Sequence, residues 1–340
     1  MTLIYKIKNL KHSYSSKIAF QTKELVIEEA SITGVNGPNG AGKSTLLNIL
    51  ALIQKPTSGT VFFKDKAVQP FSRFASSRIT ILSQNPYLLK RSVFNNVAYG
   101  LKIRKDTKDL KQRVYKALES VGLPGETFAN RTSTELSGGE SKRVALAARL
   151  ILKPDVLILD EPTANIDAES SLLIRKAALN ARKEQGTTLI ISSHDKDWLY
   201  DVCDTVLNVF NGRLIKGKRI SLIFGPWENK KEGNGLFINT GSNIVVLKPP
   251  RNNSVAIFSA EDFTVCSSKT DIPENLSFLE GKLSTVTMER QSKTIFGTLK
   301  LKEGDISVTV KLQLQNKNSS IPSPDQTIFA CYDPKVVTFA

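Results

Sequence analysis

The chain has 340 residues, 40% hydrophobic and 23% charged, with 20 glycines and 14 prolines. That length suits two domains, and that composition excludes wholesale disorder, a collagen-like repeat and a disulfide scaffold. The net charge of +15 is unevenly spread: residues 1–222 hold 34 Lys and Arg against 20 Asp and Glu, whereas residues 223–340 hold 13 against 12. A basic first part suits an anionic ligand, a nucleic acid or an anionic membrane surface. No long Lys/Arg block with interleaved aromatics is present, so nucleic acid is not expected as a partner. No apolar run approaches the roughly 18 to 20 residues that span a bilayer. Lys6 and Lys8 interrupt the start, where a signal peptide needs unbroken apolar residues. Cys203, Cys266 and Cys331 are far apart without CxxC spacing, so the chain reads as soluble and cytosolic, with free thiols.

In chain order, the first clear strand candidate is Ile32–Val35, followed by a helical stretch over Lys43–Ile53 and a strand-like Ile79–Leu82. Helices are predicted over Lys108–Val121 and Gly139–Leu152, then a strand over Val156–Leu159, a helix over Ala168–Gln185 and a strand over Thr188–Ser192. Such alternation to about residue 220 predicts an α/β domain with a parallel sheet, spanning 1–222. Gly225 to Gly235 is polar and Gly-bearing and reads as part of a linker over 223–235. Beyond it the helical period disappears. Thr294–Leu301, Asp305–Leu314, Gln326–Cys331 and Val336–Phe339 alternate or run apolar, with turns at Glu303-Gly304-Asp305 and Asp333-Pro334. Residues 236–340 are therefore expected to form a small all-β barrel or sandwich.

The strongest chemical signal is Gly37-Pro38-Asn39-Gly40-Ala41-Gly42-Lys43-Ser44-Thr45, a full GxxxxGK[ST] between a strand and a helix. Its glycines let backbone N–H groups cradle phosphates at a positive helix end. Lys43 is expected to reach the β/γ-phosphates of ATP, and Ser44 to ligate Mg²⁺. Asp160 and Glu161 close the apolar run Val156–Leu159, where two acids are costly unless a cation or ligand meets them. Asp160 fits the Mg²⁺ side, and Glu161 fits a base for the attacking water. Leu136-Ser137-Gly138-Gly139-Glu140 opens another helix and is a second phosphate-suited N-terminus. One nucleotide has no need of two such sites in one chain.

These residues resemble the signature motif of ABC-type ATPases, and the resemblance covers about residues 1–220. It implies that Gln84 is the Q-loop glutamine sensing Mg²⁺ and the membrane partner, and that His194 is the switch histidine at the γ-phosphate. It also implies that Ala164-Asn165-Ile166-Asp167 is the D-loop, with Asp167 as its acid, and that Tyr14 stacks on adenine. Two departures stand out: Ser141 where the family usually has Gln, and Asn165-Ile166 where a small residue and Leu are usual. The first is expected to tune the site and the second is conservative.

Several classes of ATPase share this engine. Ser44 and Leu136 are 92 residues apart, which leaves no room for the long coiled coils of chromosome-maintenance relatives. There is no second GxxxxGK[ST], as translation-factor relatives usually carry, and no fused membrane segment, as exporters commonly have. An importer subunit remains, at the cytoplasmic face of the membrane on a separate permease and served indirectly by a periplasmic or extracellular solute-binding protein. Tyr87, Leu88, Leu89, Val93, Phe94 and Val97, within Asn85–Gly100, would form an apolar patch for a permease helix if exposed. Farther on, Ala256–Asp262 resembles the Arg-Pro-Glu-Asp strand of the TOBE-type β extension of importer ATPases. Leu279-Glu280-Gly281-Lys282-Leu283 and the ending Thr327–Phe339 resemble its strands, closest to the OB-like, mop-like version of molybdate, tungstate and sulfate importers. Glu274-Asn275-Leu276-Ser277 replaces that family's Ser-Ala-Arg-Asn, so the β domain is expected to stabilise a homodimer rather than bind oxyanion, although Lys282, Ser284, Thr285 and amides near Gly281 are donors. The expected whole is an ATP-hydrolysing importer subunit for an oxyanion, tungstate or molybdate. The alternatives are an importer for sulfate, phosphate, sugar or polyamine, and a soluble ABC ATPase that remodels RNA or protein complexes.

Overall fold

The computed structural model describes residues 2–215, 219–229, 236–239, 244–289, 293–302, 306–312 and 322–339. The chain divides into two units, Met1–Ile215 and Lys216–Ala340. The first begins with β1 (Leu3–Tyr14), β2 (Lys17–Glu28), β3 (Ile32–Asn36), α1 (Lys43–Leu50), β4 (Ser58–Phe63), β5 (Lys66–Val68), α2 (Arg73–Ser76), β6 (Ile79–Leu82), α3 (Val93–Ile103), α4 (Leu110–Glu119) and α5 (Gly125–Phe128). It continues with α6 (Gly138–Leu150), β7 (Val156–Asp160), α7 (Ala168–Gln185), β8 (Thr188–Ser192), α8 (Lys196–Val202), β9 (Thr205–Phe210) and β10 (Arg213–Ile215).

Ten strands form one sheet in the order β5-β4-β1-β2-β10-β9-β3-β8-β7-β6. Strands β9, β3, β8, β7 and β6 are mutually parallel. The other half is built largely on antiparallel pairings of β1, β2, β4 and β5, so the sheet is mixed rather than parallel throughout. All five residues of β3, β7 and β8 are buried, as apolar strands covered on both faces require. Alternate residues feed two cores. Leu157, Leu159, Leu189 and Ile191 face a cluster with Val97, Val114, Leu146 and Ile174 from four helices, whereas Val156, Ile158 and Ile190 face one with Leu46, Leu50, Tyr5 and Phe63. Each such aliphatic side chain stabilises the fold by about 1.5–3 kcal/mol on burial.

The second unit is all β: β11 (Ile220–Phe224), β12 (Trp227–Asn229), β13 (Leu236–Asn239), β14 (Val245–Leu247), β15 (Val255–Ser259), β16 (Thr264–Cys266), β17 (Ser277–Met288), β18 (Ile295–Leu301), β19 (Ser307–Leu312), β20 (Thr327–Tyr332) and β21 (Thr338–Phe339). They form antiparallel sheets β11-β15-β21, β12-β13-β14 and β16-β20-β17-β18-β19. Phe258, Phe263 and Tyr332 meet ring to ring in their shared core, with centroids 5.2–5.7 Å apart.

The boundary expected after residue 222 moves back to 215, because Ile220–Phe224 pairs in full register with Val255–Ser259. The expected linker is also partly structured. Trp227 is buried and its indole N–H donates to the Ser254 carbonyl at 2.7 Å, while 230–235 lie outside the described residues, as does the expected turn at 303–305. The donors considered for an oxyanion lie along β17. Gly281 and Lys282 are committed to pairing with β18 and β20, and the Ser284 hydroxyl donates to the Thr298 carbonyl.

Candidate functional site

Four neighbouring parallel strands, β3, β8, β7 and β6, end on the same side of the sheet. The phosphate loop follows β3, His194 follows β8, Asp160 and Glu161 end β7, and Gln84 follows β6. The carboxyl ends of parallel strands are where an open α/β sheet presents its ligand crevice. A cleft of about 660 Å³ opens there, lined by Tyr14, Pro38 to Thr45, Gln84, Asp160, Glu161 and His194. Gly37 is in the loop but does not line the cleft.

The loop's shape depends on backbone freedom. Gly42 has φ 107°, and a Cβ there would collide with the Ala19 carbonyl, so only glycine fits. Gly40 lines the cleft with φ 74° and with nothing near its missing Cβ. Lys43 begins α1, whose first-turn amides have no intrahelical partners. Its ammonium donates to the carbonyls of Gly37 at 2.7 Å and Pro38 at 3.3 Å. Burial pulls its pKa below the usual lysine range, and the charges of Glu161 and Asp160 oppose that shift.

The two acids are held differently. Asp160 Oδ1 accepts from the Ser192 hydroxyl at 2.6 Å. The Glu161 amide donates to the same hydroxyl oxygen at 3.0 Å and to the Ser192 carbonyl at 3.2 Å. Glu161 has φ 49°, a left-handed conformation that is strained for a non-glycine residue. Its buried Oε1 makes no well-directed hydrogen bond, although His194 Nε2 lies 3.2 Å away. An unsatisfied buried carboxylate oxygen beside an exposed imidazole is a group waiting for a donor. Ser44 hydroxyl, Gln84 amide and Asp160 carboxylate supply hard oxygens of the kind Mg²⁺ takes, few enough to leave room for phosphate oxygens and water.

Tyr14 stands at the rim, half exposed. Its hydroxyl accepts from Gln54 Nε2 at 2.6 Å, and its ring meets His12 edge to face. The sequence did not single out Lys17, Asn211 or Gly212, which also line the cleft. They sit on a hairpin turn and a strand end, brought in by pairing that no local pattern announces.

Ser137, Gly138, Gly139, Glu140 and Asp167 do not line this cleft. Ser137 caps α6 in a capping box: its hydroxyl accepts from the Glu140 amide, and Glu140 Oε2 accepts from the Ser137 amide at 2.8 Å. Asp167 caps α7, and its pKa is lowered chiefly by the Ser170 amide it accepts from. Gly139 is buried where a Cβ would overlap Asp167 and Ser170, so packing accounts for it. Among the described residues a Cβ on Gly138 would meet nothing within 4 Å, so packing against them does not explain the second glycine. Of the apolar residues expected in a permease patch, α3 turns Val93 and Val97 into the core and Phe94 against it, while Leu88, ahead of the helix, is buried in the same core and Leu89 is half-buried. Tyr87 alone of the six is exposed, at 73%.

A family model described as ABC transporter matches residues 20–164. The tungstate uptake system ATP-binding protein of Peptoclostridium acidaminophilum is 38% identical over 209 residues, which are 61% of this chain and 95% of that protein. The chain belongs to the ABC transporter ATP-binding family. A spermidine/putrescine import ATP-binding protein of Mesoplasma florum is another family member, 34% identical over 62% of this chain, and the match spans 60% of its own length. Among solved structures, a component of the CbiONQ ABC transporter complex of Clostridium perfringens is 35% identical with a TM-score of 0.57, over 64% of this chain and 88% of that one. A dimeric ATP-binding cassette in a post-hydrolysis state with ADP and Pi superposes with a TM-score of 0.58 at 25% identity, over 62% of this chain and 97% of its own. As an ABC ATPase the chain is an ATP hydrolase with a P-loop fold, followed here by the β unit. No helix among the described residues is long and apolar enough to cross a membrane.

Proposed function

We propose that the chain is the ATP-hydrolysing subunit of an ABC importer, working as a head-to-tail homodimer with one ATP at each of two shared sites. The observation that carries this is the separation of its two phosphate-suited glycine segments. The phosphate loop lines the cleft, while Gly138 is exposed elsewhere with no steric reason among the described residues to be glycine. A second copy related by a twofold axis would bring its Ser137 and Gly138 to this copy's phosphates.

In that arrangement Tyr14 stacks on adenine, loop amides and Lys43 hold the β- and γ-phosphates, and Lys43 leaves its own loop carbonyls to do so. Ser44, Gln84 and Asp160 would hold Mg²⁺, which when bound offsets phosphate charge. Glu161 accepts a proton from the attacking water, its carboxylate desolvated and unsatisfied in advance. His194 donates to a γ-phosphate oxygen, with its Nε2 standing 3.2 Å from Glu161 Oε1 before ATP arrives. Asp167 lies beside the partner-facing helix end and signals between sites.

For the solute, tungstate or a related oxyanion is favoured by the 38% identity to the tungstate uptake protein. A polyamine is the second reading. The matched polyamine relatives extend well past the aligned segment, as this chain does, whereas the tungstate relative is nearly used up by it. The β unit then serves packing of the pair, since the Gly281 segment is taken up in strand pairing and the Ser284 hydroxyl in a bond to the Thr298 carbonyl. The chain would sit at the cytoplasmic face of the membrane against permease subunits, with Tyr87 in that contact and a solute-binding protein acting from the other side. The test is uptake: cells lacking the chain should lose tungstate accumulation, measured as cellular tungsten, and keep spermidine uptake. The reverse result would assign the polyamine, and unchanged uptake of both would overturn the importer reading for these solutes.

A further inference from the structure

Lys142 is a lysine on α6, one turn beyond the exposed Ser137 and Gly138, and it is only 5% exposed. Its ammonium donates to the carbonyl of Ala164 at 3.0 Å and of Glu161 at 3.3 Å. Those two carbonyls bracket a turn closed by the Ala164 amide on the Glu161 carbonyl. The turn begins at a residue with left-handed φ and lies past the end of β7, so Lys142 supplies the donor to the Ala164 carbonyl and a second donor to the Glu161 carbonyl. A buried ammonium is an expensive way to supply them, and burial indeed pulls the Lys142 pKa down, with the Glu161 charge opposing. The same helix makes a second contact with the same segment. Gly139 lies so close to Asp167 and Ser170 that no Cβ fits between. Helix α6 is thus fastened to both ends of 161–167, by an ion at one end and by close packing at the other.

We propose that Lys142 is a positioning residue that couples the chain's two half-sites, transmitting the position of Glu161 to the Ser137–Gly138 end of the same helix. This rests on the homodimer reading above. Glu161 serves the ATP in its own cleft and Ser137–Gly138 the ATP of the second copy. A rigid link between them makes closure at one site favour closure at the other.

The test uses the full chain with Lys142→Met, which keeps the stem and removes all donors, and Lys142→Gln, which keeps a neutral donor one bond shorter. ATP affinity of the dilute, non-hydrolysing chain should stay within about twofold, because the cleft residues are untouched. Turnover should fall about tenfold for Lys142→Met, and the Hill coefficient in ATP should fall toward 1. Lys142→Gln should recover part of both. Wild-type turnover and cooperativity in a folded Lys142→Met chain would overturn the proposal. So would a loss of ATP affinity equal to the loss of turnover, which marks a general packing defect, or identical losses in Met and Gln. If Lys142→Met does not fold, Lys142→Gln alone decides by the same two readouts. Glu161→Gln run alongside separates the claims. Normal turnover there removes the base assignment itself, whereas an inactive Glu161→Gln with a wild-type Lys142→Met removes only the coupling.

Discussion

Ser192 gives the sharpest quantitative test of how the two acids are held. It is fully buried at the end of β8, and its hydroxyl is shared between Asp160 Oδ1 and the Glu161 amide. Ser192→Ala removes one oxygen atom and leaves no cavity of consequence. The Glu161 amide keeps the Ser192 carbonyl at 3.2 Å, so the principal loss is the donor to the buried Asp160 carboxylate. A hydrogen bond to a charged group contributes about 1.5–3 kcal/mol, and its loss leaves a buried oxygen unsatisfied. The expected cost is therefore about 2 kcal/mol, or roughly 4–8 °C in Tm for a unit of this size. Urea unfolding followed by fluorescence of Trp198, in the same unit, measures it; Trp227→Phe in both chains removes the other indole signal. Turnover should fall with it, since Asp160 loses its orientation. A cost under about 0.5 kcal/mol, the level of an ordinary surface change, would refute the reasoning.

Gly138 and Gly139 should separate cleanly. Gly139→Ala should cost about 1–3 kcal/mol by overlap with Asp167 and Ser170, whereas Gly138→Ala should leave the Tm unchanged and lower turnover. Tyr14→Ala should weaken ATP binding by about tenfold, the scale of one aromatic stack, and Tyr14→Phe by no more than about twofold, both by equilibrium titration. Asp155 predicts a pH effect. Burial alone would raise its pKa, but the hydrogen bonds and charges of Lys64 and Arg78 outweigh burial and leave it below the usual carboxylate value. Its stabilisation is therefore present above about pH 4 and lost as pH falls through the folded-state value. The stability difference between the wild-type chain and Asp155→Asn should be constant from neutral pH to about pH 5 and close below about pH 4.

The parts of the site legible in sequence are those where a motif has fixed spacing and a strand end beside it. Lys43, Asp160 and Glu161 could be placed because each follows an apolar run that becomes β3 or β7, whereas Gln84 and His194, which follow β6 and β8, were placed by the family resemblance. The β1–β2 hairpin carries a period-2 signal, with Tyr5 and Ile7 inward and Lys8 outward, but which strands it pairs with is set by register that no local pattern gives. The domain boundary was hidden for the same reason, since Ile220–Phe224 finds its partner only at Val255–Ser259. Lys142 was invisible. A lysine one turn into an amphipathic helix reads as a solvated charge, and only the left-handed turn at Glu161 gives it a reason to be buried.

The central claim is that ATP is held between two copies, and the most direct measurement is the solution mass of Glu161→Gln with and without ATP. Light scattering on a sizing column should give the 37.5 kDa chain without nucleotide and twice that mass with ATP, carrying one ATP per chain. Adding Ser137→Arg to the same chain should abolish the larger species while ATP still binds. A chain that saturates with ATP and stays at 37.5 kDa at every concentration would contradict the account.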